Sequence, residues 1–378
     1  MKVAILFRGS SKSIPHIVAV ANFLAKSGLD ISLIGLATEN ERPDALRPNV
    51  NFVRLSSVDE NSYPRRGLEA IELRKLLREG AYDILHIASH GPLATCILSG
   101  IFSIDAKLVF HAFDHLEPSK YPLRAWIWGW FLRKCDLVLD VEPNRAHFLK
   151  CAYRLNSLPL VVPNRLGRDW PVPARNDKLR KELERGCSAP DPVIVIYQGW
   201  IVEERRTHIL VEAMAHLPAR YILHVIGPMD SVEFEQRLKQ IAVRYRLEER
   251  VIFHPNMTHE KLLHYTACSD IGVLFYGDEH FANYYCSPNK LSEYAASGVP
   301  MIGPNYSGIV ELFRNHQLGE TVNPNDPVAV AKTIQSVAES QPGLLEKSVT
   351  VRRSFLEALA FDNYGPDLVE AYQQLVDK

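Results

Sequence analysis

Short, continuous apolar runs recur along this chain, and segments with helical periodicity lie between them. The runs include VAILF at 3–7, YDILHIASH at 82–90 and VIVIYQG at 193–199. An uninterrupted apolar run is typical of a strand buried on both faces, and intervening helices indicate a parallel sheet covered on both sides. The pattern therefore predicts a doubly wound α/β fold, in which ligands bind at the carboxyl ends of the strands.

The alternating series is interrupted at residues 160–177, LVVPNRLGRDWPVPARND. Prolines, a glycine and mixed charges are typical of a surface connector. Because 378 residues suit two domains, we predict an N-terminal domain over 1–168, a linker over 169–190 and a C-terminal domain over 191–355. The remaining residues, 356–378, are expected to form a helix that packs back on the first domain. Two such domains would face each other across a cleft.

Composition narrows the class of protein. The formal net charge of −1 gives no overall attraction to nucleic acid, so no nucleic-acid partner is expected. The six cysteines show no CxxC pair and no zinc-ligand spacing, which fits a reducing compartment. The apolar run in MKVAILFRGSS is too short for a signal peptide, and no run reaches the ~18 apolar residues of a spanning helix. These features predict a cytoplasmic protein.

Four segments of the second half occur in a characteristic order. They are IYQGWIVEERRTHILVEAMAHL (196–217), VIFHPNMTHEKLLHYTACSDIGVLFY (251–276), SPNKLSEYAASGVPMIGPNYSGIVELF (287–313) and GETVNPNDPVAVAKTI (319–334). Together they resemble the C-terminal half of the GT-B-fold glycosyltransferases of family 4, the group 1 domain. The resemblance covers about 192–333 well and the N-terminal half more loosely.

This resemblance implies two Rossmann-like domains and a retaining glycosyltransferase. Its donor would be a UDP- or GDP-sugar, and its acceptor a glycan or a lipid-linked glycan. The expected setting is bacterial polysaccharide or lipid-linked glycan synthesis. No cofactor and no metal are expected, because two cations and a helix N-terminus can stabilise a departing diphosphate.

The loop and helix of SPNKLSEYAASGVP form the predicted diphosphate site. The first N–H groups of a helix lack partners within the helix and carry partial positive charge. We expect Ser287, Asn289 and Lys290 to bind the diphosphate there. By the resemblance, Glu293 accepts hydrogen bonds from the ribose hydroxyls, a role that suits the two oxygens of a carboxylate.

The chain departs from the family at two positions. Tyr285 stands where the family has the first glutamate of a pair, and Trp200 stands where it has an arginine. Arg205 occupies the position of the family's lysine and is expected to bind the diphosphate with Lys290. Arg206 reads as a solvated turn residue. Asp278 and Glu279 remain open as sources of a carboxylate near the donor sugar.

Further loops are expected near the donor. By the resemblance, the backbone around Asn256 would lie beside the base, and Tyr285, Gly308 and Glu311 near the donor sugar and nucleotide. Gly308 would let the backbone approach the ligand closely, and Glu311 would begin a helix. In the first domain, Gly9 opens a Gly-Ser-Ser loop that follows the first strand.

The catalytic residues are sought in the first domain, where four polar residues follow or close two strands: His90, His111, Asp114 and His115. The resemblance favours His111 as a contact of the donor sugar. Asp114 is the alternative, as a base that activates the acceptor hydroxyl.

The segment Tyr121–Cys135, YPLRAWIWGWFLRKC, is apolar on nearly all sides and bracketed by cations. A helix of this kind is either buried or in contact with lipid or a partner. Both interpretations stay open, including peripheral contact with the inner face of a membrane. Two alternatives to sugar transfer also stay open: a nucleotide-sugar epimerase of the same fold, and a non-catalytic scaffold.

Overall fold

A computed structural model describes residues 1–9, 14–36, 41–55, 63–116 and 120–377, with 63–65 as backbone only. The described residues form two compact units. The first comprises Met1–Trp170 together with Ala360–Lys378, and the second comprises Pro171–Leu359. Each unit has its own parallel sheet with helices on both faces, as the sequence predicts.

The first unit is built on a seven-stranded parallel sheet with the order β3-β2-β1-β4-β5-β6-β7. Its strands are β1 (Lys2–Phe7), β2 (Asp30–Gly35), β3 (Asn51–Arg54), β4 (Ile84–Ala88), β5 (Lys107–Ala112), β6 (Leu137–Asp140) and β7 (Leu160–Val161). Its helices are α1 (Pro15–Lys26), α2 (Tyr63–Gly80), α3 (Leu93–Leu98), α4 (Pro122–Leu132), α5 (Pro143–Tyr153) and, at the end of the chain, α15 (Gly365–Val376).

The central strands are buried on both faces, which is why their sequences are continuously apolar. All five residues of β4 are buried, and β1 is buried from its second residue onward. Local signals start several helices: α1 and α5 begin with proline in the first turn, and the Glu142 carboxylate accepts from the backbone N–H of Arg145.

Helix α15 completes the core of the first unit. The hydroxyl of Tyr372 lies 2.6 Å from Nδ1 of His86 on β4, and both side chains are buried. Gly365 packs directly against the ring of Phe23, where a larger residue would overlap it. The π-helical turn Phe355–Leu359 still belongs to the second unit.

The second unit has a six-stranded parallel sheet with the order β10-β9-β8-β11-β12-β13. Its strands are β8 (Val193–Gln198), β9 (Tyr221–Ile226), β10 (Val251–His254), β11 (Ile271–Val273), β12 (Met301–Pro304) and β13 (Gly319–Val322). Its helices are α6 (Asp177–Leu183), α7 (Thr207–Ala213), α8 (Val232–Arg244), α9 (His259–Ala267), α10 (Phe281–Tyr284), α11 (Asn289–Ala296), α12 (Ser307–His316), α13 (Pro327–Glu339) and α14 (Leu344–Ser354).

The stretch 169–190, which the sequence predicts as a linker, is largely part of the second unit. It contains α6, whose Arg180 donates hydrogen bonds to the Asp270 carboxylate at 2.7 Å and to the Cys268 carbonyl at 3.0 Å. Leu183 is buried in the same region. The proline-rich signal therefore marks the boundary but overstates the length of the connection.

Candidate functional site

The strand order of the second sheet reverses between β8 and β11, and the candidate site lies at the carboxyl ends of these strands. Gly199 follows β8 directly and has a φ of 106°, which favours glycine. Gly227, after β9, lies against the Gly199 carbonyl so closely that a Cβ would overlap it. The two glycines let the loops after β8 and β9 run side by side.

Two cations lie over aromatic rings at this position. Nζ of Lys290, the second residue of α11, lies 4.1 Å from the ring centre of Tyr197 and 5.6 Å from that of Tyr276. The guanidinium carbon of Arg205 lies 3.8 Å from the ring centre of Tyr276. Aromatic faces attract cations without neutralising their charge, so the cations retain their positive field.

Neither cation forms a salt bridge with a carboxylate of the described residues, although the charge of Glu293 acts on Lys290. Among the described residues, no salt bridge reaches Lys290 or Arg205, and Nη1 of Arg205 is buried without a hydrogen bond. Lys290 is only 9% exposed. Buried charges are normally paired, because an unpaired charge loses its hydration without compensation. The pair therefore suits a bound anion.

The protonation of Lys290 reflects this environment. Burial, and then the neighbouring charge of Arg205, lower the pKa of Lys290 to about 7, while the carboxylate of Glu293 opposes the shift. An anion placed against Nζ would favour the charged form and raise the pKa again.

The start of α11 adds positive potential to the same place. Its N-cap is Pro288, whose side chain cannot accept from the first N–H groups of the helix. Asn289 is the first helical residue, and Ser287 is buried just before it. Three of the four residues predicted to bind a diphosphate, Ser287, Asn289 and Lys290, thus lie together at one helix N-terminus, and their contact with a ligand remains a prediction.

Glu293 lies one helical turn after Lys290 and is held by two neighbours that the sequence motifs did not reveal. One carboxylate oxygen lies 3.0 Å from Nε2 of His259, and the other accepts from the amide of Gln198. The Gln198 carbonyl oxygen in turn accepts from the Thr266 hydroxyl at 2.7 Å. Burial acts to raise the pKa of Glu293, but these hydrogen bonds and Lys290 lower it below its ordinary value.

A carboxylate has about four acceptor positions, so these contacts leave Glu293 able to accept further hydrogen bonds. Both neighbours of Glu293 lie at the ends of regular elements, beside the loops that the sequence assigns to the site. Gln198 is the last residue of β8, and His259 is the first residue of α9, three positions after Asn256. Asn256 itself is exposed in the loop that precedes α9.

Arg206 is not a solvated turn residue. Its side chain is 12% exposed, and its nitrogens contact Asp278 at 2.8 Å, Glu279 at 2.6 Å and Asn325 at 2.6 Å. Its φ of 52° is in the left-handed region. Arg206 therefore connects two loops to the turn that carries Arg205, and it pairs with both carboxylates that were open as contacts of the donor sugar, offsetting one of their two charges.

Three further predicted positions lie on the segment between β11 and β13. The ring of Tyr285 packs against Phe281 at 5.1 Å between centres. At Gly308 the close approach is to the chain itself, because a Cβ would lie 3.0 Å from the Tyr284 carbonyl oxygen; the expected approach to a ligand is not what requires this glycine. Glu311 is exposed in the second turn of α12, which begins at Ser307, so its expected position at the helix start was wrong.

His111 lies in the core of the first unit. It is 1% exposed, its Nε2 lies 3.0 Å from the Val162 carbonyl oxygen, and its ring is 4.1 Å from that of Phe113. Burial lowers the pKa of His111 well below its ordinary value. Its Nδ1 is buried without a hydrogen-bond partner among the described residues. Contact of His111 with a donor sugar stays a prediction. Asp114 is exposed, three residues later in the chain.

Of the other polar residues near the ends of β4 and β5, His115 is largely buried and His90 is exposed. The His115 imidazole lies 2.6 Å from the buried carboxylate of Asp140, which Arg145 also approaches at 3.4 Å. His90 is exposed. Gly9 follows β1 with a φ of 122°, whereas the two serines after it lie outside the described residues.

Metal ligands do not cluster in the part of the chain that the structure describes. Within it, no group of three or more histidine, cysteine, aspartate or glutamate side chains is arranged to hold a metal ion.

Two Rossmann-like units in succession, the second with a cationic site at its strand reversal, define the GT-B class of glycosyltransferase fold. Residues 15–165 match the Glycosyltransferase Family 4 domain, and residues 180–351 match the Glycosyl transferases group 1 domain. The chain therefore belongs to the group 1, or family 4, glycosyltransferases, as the order of its motifs predicts.

Solved structures share the fold over the whole chain at low sequence identity. HepE from Anabaena, in complex with UDP and glucose, has a TM-score of 0.77 at 14% identity, with 99% of both chains covered. Sucrose-phosphate synthase from Thermosynechococcus elongatus has a TM-score of 0.74 at 16% identity, again with 99% of both chains covered.

Curated relatives match part of the chain. WcaL of Salmonella typhimurium, named as a glycosyltransferase of colanic acid biosynthesis, is 26% identical over 231 residues, or 58% of this chain and 52% of WcaL. D-inositol 3-phosphate glycosyltransferase of Xylanimonas cellulosilytica is 22% identical over 210 residues, or 54% of this chain and 48% of that protein. These matches span about half the length of the curated relatives.

Proposed function

We propose that this glycosyltransferase takes its sugar from a nucleoside-diphosphate sugar, UDP- or GDP-linked, and transfers it to a hydroxyl of a glycan or lipid-linked acceptor. The observation that carries the proposal is the pair Arg205 and Lys290, a half-buried and a buried cation over aromatic rings, which form no salt bridge with a carboxylate among the described residues. A diphosphate supplies the charge that such a pair lacks, and an arginine can bind its oxygens bidentately.

Each part of the donor has an assigned partner in this proposal. Arg205, Lys290 and the N-terminus of α11 at Ser287 and Asn289 hold the diphosphate. Glu293 accepts from the ribose hydroxyls and is kept in position by His259 and Gln198. The loop at Asn256 lies beside the base, and Tyr285 flanks the donor sugar. These assignments place the diphosphate next to the two groups that can take up its negative charge.

We propose that the configuration at the anomeric carbon is retained. The bond from that carbon to the diphosphate oxygen breaks, and the acceptor oxygen forms its new bond on the same face. The departing diphosphate helps to take the acceptor proton, and Arg205 and Lys290 stabilise its increased charge. Because these cations already carry out that stabilisation, the step requires no metal. Asp114, an exposed side chain, is the alternative acceptor of that same proton, in place of the diphosphate oxygen.

The relatives are consistent with a uridine donor and a bacterial setting. HepE was solved with UDP-glucose, and a further neighbour at TM-score 0.72 and 13% identity, a trehalose-6-phosphate protein from E. coli, was solved with UDP-2-fluoro glucose. WcaL is named for the synthesis of a bacterial polysaccharide. We therefore propose a UDP-sugar as the donor and a role in bacterial glycan synthesis. The proposed compartment is the cytoplasm, because six free cysteines are typical of a reducing environment.

Calorimetric titration with UDP and GDP tests the donor site. The wild type is expected to bind one of them, and Arg205→Ala and Lys290→Ala are each expected to weaken that affinity by about tenfold or more, as for lost charge-assisted hydrogen bonds. Arg237→Ala is the matched control, because Arg237 is an exposed arginine of the same unit paired with Glu203. Unchanged affinity in Arg205→Ala would contradict the assignment.

Product analysis separates transfer from its alternatives. Nuclear magnetic resonance of the donor with an acceptor is expected to show release of the diphosphate and a new glycoside of retained configuration. Epimerised donor in the absence of acceptor would instead identify an epimerase, and absence of nucleotide binding at millimolar concentration would identify a scaffold.

A further inference from the structure

Helix α4 of the first unit presents an apolar stripe to solvent. Leu123 is 70% exposed and Trp126 is 66% exposed, and Ile127 and Trp130 are exposed on the same face of the helix. Their spacing of i, i+3, i+4 and i+7 makes one continuous row. The exposed ring of Phe102 extends the row, 5.3 Å from the ring of Trp130. Leaving two tryptophans in water is unfavourable unless another surface covers them.

The helix cannot rotate to bury this stripe. Its opposite face is already fixed in the core, with Trp128 fully buried and its ring 4.9 Å from that of Tyr153. Gly129 lies so close to Tyr153 that a Cβ would overlap the ring. Arg133 adds a hydrogen bond of 3.0 Å to the Tyr153 carbonyl oxygen. The exposure of the stripe is therefore a fixed property of the fold.

The charged side chains of residues 120–135 all have one sign, and the exposed acids Asp105 and Asp136 follow Phe102 and Lys134 closely in the sequence. Residues 120–135 contain four cations and no acidic side chain. Lys120, Arg124, Arg133 and Lys134 are all exposed. The acid that follows, Asp136, accepts a hydrogen bond from the backbone N–H of Leu108. A covering surface that carries negative charge would therefore be attracted to the cations beside the stripe.

We infer that α4 is an interfacial docking surface for an anionic lipid bilayer, defined by Leu123, Trp126, Ile127, Trp130 and Phe102 with their flanking cations. Tryptophan prefers the boundary between headgroups and acyl chains, and Lys and Arg side chains reach from there to anionic headgroups. A second copy of the chain would instead bring like charges together across a two-fold interface, so the charges favour lipid.

The helix lies in the plane of the bilayer. Its 11 residues span roughly 16 Å, about half of the hydrocarbon thickness. Among the described residues, no helix has the length and apolarity needed to cross a membrane. Docking through α4 would bring the first unit to a surface that displays lipid-linked glycans, a consequence that rests on the proposed function.

Vesicle sedimentation with the whole chain tests the inference. The wild type is expected to bind vesicles containing phosphatidylglycerol at least about tenfold more tightly than vesicles of phosphatidylcholine alone, and high salt should weaken this binding. Leu123→Gln with Trp126→Gln should lower the affinity by about tenfold or more. Replacing Lys120 or Lys134 by Gln should lower it by about fivefold each.

The matched control is Leu345→Gln with Val349→Gln, which removes two exposed apolar side chains from α14 of the second unit. It should bind vesicles as the wild type does. Equal vesicle binding by the α4 variant and the wild type would overturn the inference, as would no vesicle binding by the wild type. Dimerisation that the α4 variant abolishes would assign the stripe to a second copy instead. Nucleotide titration of each variant keeps this result separate from the donor proposal, since α4 contributes nothing to the donor site.

Discussion

Nζ of Lys290 lies 4.1 Å from the centre of the Tyr197 ring, and no carboxylate in the described part of the chain forms a salt bridge with it. The aromatic ring attracts the ammonium group but compensates for only part of its lost hydration. This relationship explains how one lysine can be both buried and available to an anion.

Nucleotide affinity is therefore expected to depend on pH through Lys290. Its pKa is lowered to about 7 in the free protein, and a bound diphosphate favours the charged form. Binding then takes up a proton, so between about pH 7 and pH 9 the dissociation constant should rise by up to tenfold per pH unit. Calorimetry across this range measures the slope. Lys290→Arg keeps its charge and should give a flat profile; a slope that persists in this variant would assign the proton to another group.

Glu293→Gln is expected to remove the preference for ribose. The amide keeps the shape of the side chain but replaces one acceptor oxygen by a donor. The wild type should bind UDP at least about tenfold more tightly than dideoxy-UDP, if uridine is the accepted base, and the variant should bind the two with similar affinity. Because the ratio compares two ligands on one protein, a general loss of stability cancels. An unchanged ratio would remove Glu293 from the ribose site.

Arg206→Ala is expected to release the loops that carry Asp278 and Asn325. The carboxylates of Asp278 and Glu279 are partly exposed, so their pairing with Arg206 should contribute only about 1–2 kcal/mol to the free energy of unfolding. That loss corresponds to a fall in Tm of roughly 2–8 °C. UDP affinity should also fall, because Arg205 loses its support. Arg206→Lys should restore part of the stability and less of the affinity; full affinity in the alanine variant would contradict the positioning role.

Asp114→Asn is expected to lower kcat by about 100-fold with little change in the KM of the donor, as for loss of a general base. The carboxylate is exposed, so the substitution should not affect folding. Steady-state kinetics measures both constants. Asp105→Asn, another exposed aspartate of the same unit, is the control. A change of less than about threefold in Asp114→Asn would leave the diphosphate oxygen as the sole proton acceptor.

His111→Ala should affect stability far more than chemistry. Removing the buried imidazole leaves a cavity and an unpaired Val162 carbonyl, which together should cost about 2–4 kcal/mol. His111→Gln can still donate to Val162 and should cost less. Chemical denaturation measures both, and activity per folded molecule should be close to the wild type. A loss of kcat in the glutamine variant without loss of stability would instead support the predicted contact of His111 with the donor sugar.

The sequence predicts those parts of the site that depend on local spacing. Lys290 and Glu293 are one helical turn apart, so a short motif places both on the same face of α11. Arg206 could not be assigned in this way, because its partners Asp278 and Asn325 are 72 and 119 residues away in the chain. Only the folded structure brings them together.

The sequence pattern also did not predict which individual side chains are buried. His111 is the penultimate residue of β5, near the edge of the sheet where ligands bind, but β7 runs beside β6 and the Val162 carbonyl that follows it lies 3.0 Å from Nε2 of the imidazole. In α4, a helix with apolar residues on all sides has no periodicity that distinguishes Trp126 from Trp128. The close approach of Gly129 to Tyr153 fixes which face of α4 is buried, so that Trp128 lies in the core and Trp126 is exposed.

The contact between Tyr372 and His86 joins residues 286 positions apart within one unit. A ribosome releases these residues in order, so the contact with β4 can form only after Tyr372 has been synthesised. The second unit is contained in Pro171–Leu359 and is therefore synthesised before that point. The half of the chain that is synthesised first can complete its core only after the whole of the second unit has been synthesised.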